Sequence, residues 1–93
     1  LWDGMSMEKA REFLNIFDNS HDYREKFLSL YNGLYILLKD NIWARIEEEG
    51  IEKERMKDAL LYLREDEERG GKTVLGESEL LILRDLLSRL ISG

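Results

Sequence analysis

The stretch Glu79-Leu80-Leu81-Ile82-Leu83-Arg84-Asp85-Leu86-Leu87-Ser88-Arg89-Leu90-Ile91 decides the fold, because eight of its thirteen positions are large aliphatic residues. At about 100° per residue these side chains, Leu81 apart, cover an arc of about 180°, against the roughly 100° stripe of an ordinary surface helix. Leu81 stands by itself among Arg84, Asp85 and Ser88. A helix with so broad an apolar arc must be covered on two sides, either by its own bundle and a second chain or, as the central helix of a monomer, by its neighbours in the chain alone.

Working back towards the N-terminus, Gly70-Gly71 is the clearest punctuation, followed by a loop or short extended piece over Lys72–Gly76 through Thr73-Val74-Leu75. Before it, Met56, Ala59, Leu60 and Leu63 form a narrow stripe on a helix expected from about Glu52 to Arg69. A short helix ending at Glu49 should be capped by Asp40 and closed by Gly50, which suits the left-handed position after a helix end.

A second helix with a broad apolar arc precedes these elements. Tyr23, Phe27, Leu30, Leu34, Leu37 and Leu38 share one face, widened by Leu28, Tyr31 and Tyr35, and Asn19-Ser20-His21-Asp22 supplies its N-caps. Beyond Leu38 the phase slips. An unbroken helix would bury Asn41 and Arg45 and rotate Ile42, Trp43 and Ile46 away by about 100° or more, so a break belongs near Lys39-Asp40-Asn41. The first helix, capped by Ser6 and running to about Asp18, carries Met7, Ala10, Phe13, Leu14 and Phe17. No period-two alternation is long enough for a sheet. The class is therefore all-α, a small four- to five-helix bundle forming a single domain over residues 7–92. Residues 1–6 read as a flexible start or remnant: Leu1-Trp2-Asp3-Gly4 lacks an initiator methionine, and Met5 or Met7 would then open the native chain.

With 43% hydrophobic and 37% charged residues the chain folds rather than staying disordered. It has no cysteine, which removes disulfides, thiolate metal sites and cysteine nucleophiles and fits a reducing, cytoplasmic setting. Its net charge of −6, with lysines and arginines scattered singly among acids, disfavours nucleic acid as a partner. The longest uncharged run, Phe27 to Leu38, is too short to span a bilayer, so no membrane partner is expected. Abundant Glu, Lys and Arg without cysteine matches the surface chemistry of heat-adapted proteins, and the lack of proline stands against that.

Chemistry-bearing patterns are sparse. The sole histidine, His21, has no Glu-x-x-His or His-x-x-x-His companion and reads as part of a capping turn. Glu48-Glu49-Gly50-Ile51-Glu52 has the Glu-Glu-x-x-Glu spacing of the helical, magnesium-binding nucleotide pyrophosphohydrolases, but the resemblance stops at spacing, because Gly50 interrupts the helix and no Glu-x-x-Asp pair follows. Asp66 to Thr73 ends like a phosphate-binding loop, yet its first glycine is Asp66 and it follows a helix instead of a strand. Tyr23, Phe27, Tyr31 and Tyr35 lie four apart and, with no basic track beside them, read as core packing before base stacking. No catalytic, metal-ligating or cofactor-binding residue is assigned.

The expectation is a non-enzymatic helical protein–protein interaction module that self-associates as a homodimer through its C-terminal helix, or meets another protein there. Ile82, Leu83, Leu86 and Leu90 form the centre of that interface and Trp43 is its companion anchor. The alternative is a small accessory or regulatory subunit of a nucleic-acid-processing complex, touching DNA through a helix-turn-helix around Gly70-Gly71.

Overall fold

The computed structural model describes residues 4–65 and 75–93. Trp2, the Gly70-Gly71 turn with the helix-turn-helix built on it, and the phosphate-loop-like Asp66 to Thr73 lie outside the described residues. So does the expected continuation of the fourth helix to Arg69.

Helix α1 runs Gly4–Asn19, so residues 4–6 form its first turn where a flexible start was expected. The Asn19 side-chain amide donates to the Asn15 carbonyl at 2.8 Å and closes its end. Helix α2, Tyr23–Leu38, begins at Asp22, whose carboxylate accepts from the Glu25 amide at 2.9 Å. The Ser20 hydroxyl accepts from the Asp22 amide and donates to the Glu25 carboxylate at 2.6 Å. The polar break thus satisfies the exposed amides of the helix start with its own side chains. With only three residues between them, α1 and α2 form an antiparallel hairpin.

Lys39 ends α2 with its amide bonded to the Tyr35 carbonyl and its own φ at +52°, a region L-residues avoid. A 3-10 turn, Lys39–Asn41, follows and leads into helix α3, Ile42–Glu48. This is the break the phase slip requires: Ile42 and Ile46 are buried on the far side of it. Asp40 makes no capping bond there. Because Lys39 occupies a glycine-favouring conformation, Lys39→Gly should stabilise the fold by about 0.5–1 kcal/mol despite losing its ammonium 5.8 Å above the Tyr35 ring. A urea midpoint that falls instead would show that the turn is not strained.

Gly50, at φ +102°, closes α3 as expected. The Gly50 amide reaches the Glu47 carbonyl at 3.0 Å and the Ile51 amide reaches the Ile46 carbonyl at 3.4 Å, with Ile46 and Ile51 both buried. That pair of bonds with its apolar contact is a Schellman closure. Helix α4, Lys53–Glu65, buries Met56, Ala59 and Leu63.

Helix α5, Glu77–Ser92, starts at Gly76, whose amide is held by the Glu79 carboxylate at 2.7 Å. Leu75 approaches Tyr23 near the start of α2, and Leu87 approaches Gly33 further along it. Helix α5 therefore runs parallel to α2 and packs on α1 as well. A Cβ added at Gly33 would stand 2.9 Å from the Leu87 Cδ2 and 3.3 Å from the Phe13 Cβ, so this glycine sets the approach of the three helices.

The result is a small all-α bundle in which α1, α2 and α5 form a three-helix centre and α3–α4 add a second layer. Leu30, Leu34, Leu83, Leu86 and Leu87 are wholly inside it. No helix among the described residues is long and apolar enough to cross a membrane.

Candidate functional site

The two broad apolar arcs end up differently covered. On α5, Leu80, Leu83, Leu86 and Leu87 are buried by the chain itself, Leu83 and Leu86 at 0% exposure. Ile82 and Ile91, both half-buried, sit about 180° apart on opposite flanks of that buried face, and Leu90 lies between them near the helix end. The arc is that of a helix seated between neighbours. Its centre is closed to a second chain, which corrects the expectation that Leu83 and Leu86 face outwards. Leu81, 51% exposed, remains the outlier that the sequence marks.

Helix α2 leaves more uncovered. Its buried residues, among them Phe27, Leu30, Gly33 and Leu37, occupy one side. Arg24, Leu28, Tyr31 and Tyr35 lie within about 60° of one another on the opposite side, about 180° from Gly33. Lys57, Leu60 and Leu61 share a face of α4 in the same way. Between the two helices lies a groove of about 560 Å³ with Leu28, Tyr31, Leu60, Leu61 and Leu63 in its walls. Leu61 is 47% exposed and Tyr35, beside the groove, 44%. Among the described residues nothing covers these apolar surfaces.

Trp43 from α3 is part of this groove. Its ring centroid lies 6.2 Å from that of Tyr31, which in turn stacks at 6.2 Å on Tyr35, giving a continuous aromatic wall. Half-burial holds the Tyr31 hydroxyl above the ordinary tyrosine range, with Tyr35 adding to the effect. The Lys57 ammonium stands 6.0 Å over the Trp43 ring, and Arg24 lines the same groove. Neither cation has a carboxylate within ion-pair distance among the described residues. Four other arginines contrast with this: Arg45, Arg55, Arg84 and Arg89 are each bound to an acid, while Arg11 on α1, away from the groove, has no ion pair among the described residues. Of the residues singled out from the sequence, the structure therefore puts Trp43 on the groove and separates it from Ile82, Leu83, Leu86 and Leu90. Leu28, Tyr31 and Leu61 are the groove residues that sequence reasoning missed as a set. The available signal was the shared face of Arg24, Leu28, Tyr31 and Tyr35, opposite the only glycine of that helix.

The other polar clusters are structural. The Tyr23 hydroxyl accepts from the Leu75 amide at 2.9 Å and donates to the Leu75 carbonyl at 3.1 Å, tying the approach to α5 onto α2. Arg55 grips Glu79 through two bonds of 2.6 and 2.8 Å, and this pairing, against some desolvation, holds the Glu79 carboxyl below its ordinary range. Tyr23→Phe should cost about 1–3 kcal/mol, since Leu75 would keep two polar groups without partners. The check is hydrogen exchange at the Leu75 amide, which should lose protection; unchanged protection would mean the hydroxyl is dispensable.

Arg84 binds Asp18 at 2.8 and 2.9 Å, and Arg89 binds Glu49 and Asp85. Helix α5 thus offers phosphate no unpaired cation. Glu48 turns to Arg45 and Glu49 to Arg89, while α3 ends before Gly50, so the Glu-Glu-x-x-Glu acids do not share a helix face. Among the described residues no group of three or more acids and histidines converges on a point that could hold a metal ion. His21 borders a second, smaller hollow of about 270 Å³ with Phe17, Lys26, Leu80 and Leu81, and among the described residues no partner orients it as an acid or base.

Comparison with family models, curated proteins and solved structures returns no match to this chain.

Proposed function

We propose that this protein is a non-enzymatic helical interaction module whose docking surface is the groove between α2 and α4, with Trp43 as its anchor. The observation that carries this reading is that half-buried Leu28, Tyr31 and Trp43 and exposed Leu61 meet around one open groove, whereas the exposed Met5, Ile16 and Leu81 lie outside it. Aromatic residues on a partly apolar concavity are the usual centre of binding energy at protein interfaces. A groove between two helices also has the shape that accepts the apolar face of a third. The paired state of Arg84 and Arg89 favours a protein partner over nucleic acid.

The test is selection from a library of amphipathic helical peptides. Binders should lose about tenfold or more in affinity on Leu61→Asp and on Trp43→Ala, while circular dichroism shows both variants still helical. Binders indifferent to both substitutions would place the partner surface elsewhere.

A further inference from the structure

Resting on that reading of the groove, we infer that its occupant is an acidic amphipathic helix supplied by another protein. The groove chooses by charge as well as by shape. Among the described residues Arg24 and Lys57 line it without a carboxylate at ion-pair distance, in a chain whose net charge is −6 and whose Arg45, Arg55, Arg84 and Arg89 each bind an acid. Two uncompensated cations on an apolar concavity are complementary to carboxylates flanking an apolar stripe, and such complementarity selects partners more than it adds raw affinity.

Spacing narrows the ligand further. Lys57 stands over Trp43, which contacts Tyr31, and Tyr31 is seven residues beyond Arg24 on α2, about 10 Å along the axis. An occupying helix would meet both cations with carboxylates two turns apart. Its apolar residues, three and four positions in from these acids, would fall on Leu28, Tyr31 and Leu61. A second copy of this chain is the poorer occupant, because two bodies of the same net negative charge repel on approach and the broad apolar arc of α5 is already enclosed.

The experiment uses the full chain and two labelled helical peptides of about 16 residues, identical in their leucines, one with glutamates and one with lysines at the two flanking positions. Fluorescence anisotropy should show the glutamate peptide binding about tenfold more tightly at low salt, with the gap shrinking as salt is raised. Arg24→Glu combined with Lys57→Glu, both on accessible side chains, should invert the preference. Equal binding of the two peptides, lost on Leu61→Asp, would overturn the acidic selectivity and leave the groove as a helix dock. Binding of neither, with a dimer by light scattering that Leu61→Asp splits, would make a second copy the occupant and overturn the inference. Binding of neither by a monomeric chain would overturn the docking groove itself.

Discussion

Leu86→Glu is expected to abolish the folded state. Leu86 has no exposed surface and packs in the centre formed with α1 and α2. A carboxylate there would have to ionise in an apolar surround or bind a proton at neutral pH, and either costs several kcal/mol on top of the lost packing. A domain of this length has only about 5–14 kcal/mol to lose. Circular dichroism should therefore show loss of helix, recovered only partly at acid pH, where the new carboxyl is neutral. Leu81→Glu, five residues away on the exposed side, should shift stability by less than about 0.5 kcal/mol. If Leu86→Glu instead yields a folded monomer from a native dimer, then Leu86 belongs to an interface between chains, as the sequence pattern on its own suggests.

Helix periodicity and break chemistry made most of the architecture legible in advance. The phase slip after Leu38, the closure at Gly50 and the stripe Met56, Ala59, Leu63 all appear where the residues place them. What periodicity cannot say is which neighbour covers an arc. The arcs of α2 and α5 are equally broad in sequence, and a width of about 180° has the same pattern whether its second side meets another helix of the chain or a partner. The deciding facts are long-range: Leu87 meets Gly33, and Leu75 meets Tyr23, which seats α5 beside α2 and encloses it. The groove was hidden for the same reason, since Leu28, Tyr31, Leu61 and Trp43 come from three helices whose mutual placement no local pattern specifies.

Gly33 concentrates that placement in one residue, and its replacement tests it most sharply. Alanine there would gain about 1 kcal/mol of helix propensity. Its methyl would also push on the enclosed tip of Leu87 and on the Cβ of Phe13, which moves only with the α1 backbone. Gly33→Ala should accordingly leave stability within about 1 kcal/mol of the native chain. Valine adds two methyl groups to the same seam with no further gain in propensity, and overpacking of this kind costs about 3 kcal/mol. Seen by urea denaturation, the midpoint should fall by about 2 M, given the slope usual for small domains. The cause can be isolated with Leu87→Ala, which by itself should cost about 2–5 kcal/mol by leaving a cavity. In the double variant the valine would fill part of that cavity. The pair should be more stable than the sum of the single effects by about 1 kcal/mol or more, a coupling expected only of residues in contact. Strict additivity would mean that α2 and α5 do not meet at Gly33, and would remove the contact that seats α5 inside the bundle and leaves the opposite face of α2 to the groove.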